Sequence, residues 1–396
     1  MAETYDEGVI LRRAAEMKMT DISGRLESLD AMRGFDMLFI MGFALLVSGV
    51  CKACGCGDGF WLIEQMKHPE WIGVTQHDTI FPTFLFIAGM TFPFSLARQL
   101  EKGRSRAAVA LKVVKRAAVL FLLGMVFERY FMGSPFRFGS VLGRIGIAWA
   151  CAAGLYLVCG VRTRIAVAIA LLLGYWAINL SFVAPDHPDC GIFTPQGNIV
   201  CWIDRTLIAP LGRISPGTER LPFDSQTFLS NMTAVVTAML GMFTGEFVRA
   251  FRNRMSGNRM TLILLGASAA LAASGWFVAH GCGRWSFPFS KVLWSPSFTL
   301  VVGAYSVALF AVFFWLIDVR KCWRRTLFFR VIGLNPIAIY LAQPILGFGR
   351  VNEYFFGRLA GLFPEPMSGL VLSATYVMVC WLFLLFLHRN KIYLKV

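Results

Sequence analysis

The segment Lys67-His68-Pro69-Glu70-Trp71-Ile72-Gly73-Val74-Thr75-Gln76-His77-Asp78 leads directly into an apolar run that opens Thr79-Ile80-Phe81-Pro82. An imidazole against an apolar wall can serve as nucleophile or base, and a carboxylate such as Asp78 orients it, as in catalytic pairs. The bland alternative is a solvated loop histidine. Upstream, Asp30, Arg33 and Asp36 are spaced by three, so on a helix they fall within one face of about 120°. That face is either an ion pair at a helix end or, with Arg33 as the cation, a seat for an anionic group. Arg144, Asn231, Glu246, Lys291, Asp318, Asn335, Tyr340 and Gln343 also stand in or beside apolar runs, and Asn198, Asp204 and Arg205 lie on a long polar stretch. A charge at the centre of a bilayer costs about 2.5–3.5 kcal/mol on insertion scales. Interhelical hydrogen bonds average only about 0.6 kcal/mol, so gluing helices together does not account for the whole set. A polar interior does.

These residues are carried by a chain of 396 residues that is 57% hydrophobic and 15% charged, with a mean hydropathy of +0.61. Soluble domains carry roughly 25% charge, and here the deficit is concentrated in long apolar runs, the pattern of a membrane protein. The expected fold is all-α and polytopic, with about ten spans near 31–51, 79–98, 114–132, 140–160, 163–183, 228–249, 259–280, 293–317, 327–348 and 367–388. Each is close to the roughly 20 residues that cross a bilayer. Most of the 38 Lys and Arg residues then fall on one side, which puts both termini in the cytoplasm by the positive-inside rule. The expected organisation is a cytoplasmic segment 1–28 and one transmembrane domain 29–396 with long outer loops at 52–78 and 184–227. The net charge of +15 is accounted for by this asymmetry. No basic segment interleaves aromatics in a soluble context, so a nucleic-acid partner is not expected. The first thirty residues have no apolar core of a signal peptide, which leaves the first span as the membrane-entry signal.

Six of the ten cysteines, Cys51, Cys54, Cys56, Cys190, Cys201 and Cys282, fall on the expected outer side. A Cys190–Cys201 disulfide fits an oxidising compartment. The Cys51–Cys54–Cys56 cluster offers three thiols and no following Cys-x-x-Cys, so no metal is expected.

Several of these stretches, taken in order, resemble the heparan-α-glucosaminide N-acetyltransferase family of transmembrane acetyltransferases. Ser28-Leu29-Asp30-Ala31-Met32-Arg33-Gly34 is similar to the family's S-x-D-x-x-R-G opening. His68-x-x-Trp71, Gly73 and Asp78-x-x-Phe81-Pro82-x-Phe84 follow its H-x-x-W-x-G-x-x-x-x-D-x-x-F-P-x-F pattern, with Ile72 where Asn is usual. Arg144-Ile145-Gly146 resembles Q-R-L-G, with Gly143 for Gln. Ile203-Asp204-Arg205, Lys291-Val292-Leu293-Trp294-Ser295-Pro296-Ser297, Asp318-Val319 and Gly333-Leu334-Asn335-Pro336-Ile337-Ala338-Ile339-Tyr340 continue the likeness toward the C-terminus. Gln343 stands where the family has His and Gln226 where it has Glu. The family's extra luminal region and helix have no counterpart, which implies a bacterial-type member in an inner membrane.

The resemblance implies transfer of acetyl from cytosolic acetyl-CoA to an amine or hydroxyl of a sugar on the outer side, the acceptor being a glucosamine-type glycan end. It assigns the functional histidine to His68 and its orienting carboxylate to Asp78. Arg33, Arg144 and Lys291, with Asp30 beside Arg33, are the candidates for holding CoA phosphates or a developing oxyanion. Asn198, Asp204, Asn335 and Trp71 are the candidates for the sugar and its pocket. Acetyl-CoA, a glycan acceptor, the lipid bilayer and a second copy of the chain complete the expected partners. Two other readings stay open: O-acetylation of an envelope polysaccharide, and transport of a glycan precursor. The second draws no support from half-to-half symmetry in the sequence.

Overall fold

A computed structural model describes residues 26–133, 138–208, 226, 228–322 and 327–394, with the backbone alone at 207–208. Arg12, Arg13, Lys18, Arg25, Arg324, Arg325 and Lys395, and most of the expected 1–28 segment, lie outside the described residues. Among the described residues the regular structure is helical, apart from one isolated bridge between Val183 and Asn198. The long elements are α1 (Glu27–Ala53), α3 (Gln76–Glu101), α4 (Arg106–Tyr130), α5 (Val141–Val158), α6 (Val161–Ser181), α8 (Asn231–Phe251), α9 (Gly257–Gly281), α10 (Pro296–Val319) and α14 (Met367–Arg389). Shorter helices are α2 (Trp61–Gln65), α7 (Ile199–Ile203), α11 (Leu327–Leu334), α12 (Pro336–Ile345) and α13 (Phe348–Ala360).

Eight of these helices are long and apolar enough to cross a membrane, nine if α11 and α12 form one broken span. The expected ten included 114–132. That stretch is the C-terminal part of α4, whose first half carries Lys112, Lys115 and Arg116 and whose last turns carry Glu128 and Arg129, so no apolar window of full length exists there. The expected span 327–348 is bent by 73° between α11 and α12. The break falls at Asn335-Pro336, because the residue before a proline is pushed out of the helical region. α13 was absent from the expected set: its sequence FGRVNEYFFGRLA has too many polar residues to read as a span.

α3 and α8 form the centre of the bundle and are the most buried of the spans, whereas α6, α9 and α14 turn most of their surface outward. α8 packs against α3, α5, α6 and α10, and α10 also covers α3 and α1. The contact of α3 with α8 is close because glycines face backbone. A Cβ added at Gly89 would lie 1.9 Å from the Ala238 carbonyl oxygen, and one at Gly241 would lie 1.9 Å from that of Phe86. Small residues of this kind let membrane helices approach without a hydrophobic driving force between them. Thr83 and Ser306 add a buried hydroxyl pair at 2.9 Å between α3 and α10. α3 is thus held rigidly along its length, and its two ends carry the two polar regions described next.

Candidate active site

Asp78 sits in the first turn of α3, where the Thr75 backbone N–H donates to its Oδ2 at 3.3 Å in a capping box. The Thr75 hydroxyl donates to the Lys67 carbonyl at 2.7 Å, which pulls the loop before α3 back over the helix start and places the adjacent His68 above it. His68 Nδ1 lies 2.6 Å from Asp78 Oδ1. The Asp78 side chain is 1% exposed, that of His68 52%, so the carboxylate is sealed beneath a ring that is itself half exposed. Lys291 Nζ completes the cluster, 3.3 Å from Asp78 Oδ1 and 3.3 Å from His68 Nδ1. Burial lowers the Lys291 ammonium from its ordinary value; the Asp78 carboxylate opposes that shift and the Arg144 charge adds to it.

Two loops meet to form this cluster. The Gly73 N–H donates to the Phe289 carbonyl at 2.8 Å, with Gly73 at φ 136°, a conformation that favours glycine. This bond ties the His68 loop to the segment carrying Lys291. Three residues on, Trp294 adopts φ 49°, which is an outlier for a bulky side chain, costs on the order of 1–3 kcal/mol and persists only where the surroundings enforce it. The surroundings do enforce it. The indole is fully buried, donates to Thr237 Oγ1 at 3.0 Å, meets the Phe81 ring edge-on at 5.0 Å and has the Arg144 guanidinium over it at 4.8 Å. Arg144 also donates to Ser230 Oγ at 2.7 Å.

The other polar region opens at the far end of α3. A cavity of about 700 Å³ is lined there by four basic side chains, Arg33, Lys112, Lys115 and Arg116. On α3 its wall is the stripe Phe84, Ala88, Thr91 and Ser95, one face at helical spacing. At 1.5 Å per residue, Thr91 stands about 20 Å along the helix from Asp78, and Phe84, the cavity residue nearest the cluster on α3, about 9 Å. The cavity therefore stops short of His68. Phe81, on α3 between Asp78 and Phe84 in sequence, packs its ring against Trp294.

The sequence-predicted site residues divide into three groups. His68, Asp78 and Lys291 come together, with Arg144 one layer beneath. Arg33 lines the basic cavity and pairs with Asp30 Oδ1 at 3.4 Å; Asp36, on the same helix, is buried. The remaining candidates are engaged inside the protein. Asn198 is fully buried and caps α7 by accepting from the Val200 N–H at 3.0 Å, while its amide donates to Asn179 and to the Ile192 carbonyl. Asn335 holds the C-terminal tail, donating to the Ile392 carbonyl at 2.9 Å and accepting from the Leu394 N–H at 3.0 Å. Trp71 donates to the Phe193 carbonyl at 2.6 Å. Asp204 accepts from the Phe228 N–H at 3.0 Å and, with Arg144, Gln226 and Asn231, lines a cavity of about 150 Å³. Cys190 and Cys201, whose pairing the sequence left open, are both unbonded. Among the described residues no group of three His, Cys, Asp or Glu side chains could hold a metal ion.

In the sequence, Lys112, Lys115 and Arg116 are part of the general Lys and Arg excess and belong to none of the motifs. Their signal was position, since Arg116 falls inside an apolar run. The backbone of Trp294 had no signal in its residue type.

An all-α bundle of long apolar helices, with a carboxylate–imidazole–ammonium cluster at one end of α3 and a basic cavity at the other, defines the architecture of a polytopic membrane protein. No protein-family model matches the chain. It is 24% identical to heparan-alpha-glucosaminide N-acetyltransferase of Homo sapiens over 434 residues, covering 96% of this chain and 61% of the relative. It is 23% identical to the protein of the same name from Mus musculus, covering 86% and 57%. The chain spans about three fifths of the length of these curated relatives. The chain is thus similar to the heparan-alpha-glucosaminide N-acetyltransferases, the family whose motifs its ordered stretches resemble.

Proposed function

We propose that this protein is a membrane acyltransferase that takes acetyl from acetyl-CoA in the basic cavity and delivers it to an amino sugar at the opposite face, through His68. The observation that carries this reading is the placement of the His68–Asp78–Lys291 cluster and the four-cation cavity at the two ends of one helix. CoA is a polyanionic nucleotide, and Arg33, Lys112, Lys115 and Arg116 match its phosphates in charge. The reactive end would extend along the Ala88–Phe84 stripe toward the cluster, with side-chain rotation of Phe81 against Trp294 opening the last step. The N-acetyltransferase activity and the glucosaminide in the relatives' name support the choice of group and acceptor.

The chemistry follows from the hydrogen bonds. Donation of the Nδ1 proton to Asp78 leaves the Nε2 lone pair of His68 as the nucleophile. It attacks the thioester carbonyl: the C–N bond forms, the C–S bond breaks, and CoA leaves as a thiolate that takes a proton from water. Asp78 balances the charge on the acylated ring. Lys291, with Arg144 behind it, stabilises the oxyanion that develops on the carbonyl oxygen. An amine at the outer face then displaces the imidazole. A shuttling imidazole suits a molecule in which donor and acceptor need not meet. The concentration of Lys and Arg on one side of the spans supports a cytosolic basic cavity and an outer acceptor.

The test is His68→Ala in the purified protein with labelled acetyl-CoA and glucosamine. Folding, followed by thermal unfolding, is expected to be unchanged because the ring is half exposed. Acetyl transfer is expected to fall by at least about 100-fold. Transfer at the unmodified rate would remove His68 from the reaction.

A further inference from the structure

A second imidazole lies against the first. The His77 ring centroid is 4.4 Å from that of His68, with the planes at 56°. Its position is fixed on both sides. Asp78 follows it in the capping box, and Gln76 before it is tied twice, its N–H to Gln65 Oε1 at 2.9 Å and its amide to Tyr305 Oη at 2.6 Å. Within this frame His77 is partly buried, and its Nδ1 is buried with no hydrogen-bonding partner among the described residues. The charged and titratable groups that act on it are His68, Lys291 and Asp78.

The second half of the reaction needs a proton acceptor that the first half does not. When an amine attacks the acetyl group on His68 Nε2, the new C–N bond leaves a positive charge on nitrogen, and one proton must go elsewhere as the imidazole departs. Asp78 is sealed, with Oδ1 facing His68 and Lys291 and Oδ2 accepting from Thr75. Lys291 is engaged with Asp78 as a cation. His68 Nε2 is occupied by the acetyl group until the bond breaks. Of the groups this cluster brings together, His77 is the base left over.

We propose that His77 is the general base of acetyl transfer to the acceptor, taking the proton from the attacking amine while the C–N bond to His68 breaks. The proposal rests on acetyl transfer through His68. It divides the work between two rings: His68 carries the acetyl group, and His77 carries the proton.

The two half-reactions can be read separately in the full-length protein in lipid nanodiscs. Exchange of labelled CoA into acetyl-CoA without acceptor reports the first, and transfer to glucosamine reports both. In His77→Ala and in His77→Gln, transfer at pH 7 is expected to fall about 100-fold or more, with exchange held within about two-fold. Added imidazole is expected to restore part of the transfer in His77→Ala and none in His68→Ala. His68→Ala is expected to lose exchange as well. Transfer in both His77 variants within about three-fold of the unmodified rate would overturn the role of His77, as would loss of exchange in step with transfer in both. Exchange that survives in His68→Ala would instead overturn the acetyl-His68 reading, and the assignment of His77 would fall with it.

Discussion

Lys291 is the cation of the cluster that has to live in a partly buried place, and its environment makes a pH-dependent signature. Burial lowers its folded-state value from the ordinary 10.5, and Asp78 recovers only part of the loss. Between the lowered value and 10.5 the unfolded chain binds more protons than the folded one, so stability rises with pH across that window. Below both values the penalty for the buried ammonium is constant. Lys291→Met has no such term. The thermal midpoint of the unmodified protein minus that of Lys291→Met is therefore expected to increase as pH is raised from neutrality toward 10.5. A difference that falls over this range would mean that Asp78 outweighs burial. Lys291, His68 and Asp78 were all legible in the sequence, because a charge beside an apolar run has few uses and their spacing matched an ordered set of motifs. Asn198 and Asn335 were legible as unusual but not in what they do. An amide that caps a helix or ties a tail is the same residue type as one that binds a sugar, and only its partners tell them apart. His77 stood in the same segment as His68, but its ring-to-ring contact depends on the loop folding back through Thr75, which no local pattern encodes.

At the scale of elements, apolar runs gave the long spans within a few residues, since a stretch that must satisfy every backbone group inside a bilayer has few alternatives to a helix. What the runs could not give was the interior of the bundle. α3 and α8 are no more hydrophobic than α14, yet they form the core, because glycines at 89, 241 and 245 let the two backbones touch. α13 and α7 were missed for the opposite reason, being too polar or too short for the pattern. The close contact yields a prediction. Gly89→Val places a branched side chain where the Ala238 carbonyl already stands, and Gly241→Val does the same against Phe86. Overpacking of this kind typically costs about 1–3 kcal/mol, with more expected where the obstacle is backbone. Both variants should therefore show a lowered thermal midpoint in detergent. Gly154→Val, with nothing within 4 Å of its added Cβ, is expected to show little change. Equal behaviour of all three would mean that the α3–α8 contact is looser than described.

At the scale of the whole molecule, the proposed reaction is directional, and the native cysteines report the direction. Cys54 is exposed just beyond α1, and Cys322 is exposed just beyond α10. Between them the chain passes along α3, α4, α5, α6, α8, α9 and α10. With α4 counted as a crossing, these seven passages put the two thiols on opposite sides. Cys54 then shares the face of His68, and Cys322 the face of Lys112, Lys115 and Arg116. By the positive-inside rule, the excess of Lys and Arg predicts that this second face is cytosolic. In variants that retain one cysteine at a time, a membrane-impermeant maleimide added to intact cells is expected to label Cys54 and to leave Cys322 unmodified until the membrane is opened. Labelling of Cys322 alone would invert the orientation and with it the route of the acetyl group. Labelling of both from outside would mean that α4 does not cross. Each outcome bears on function, because a cavity of four cations can draw acetyl-CoA only from the compartment that contains it, and His68 can serve an outer sugar only if its end of α3 faces outward.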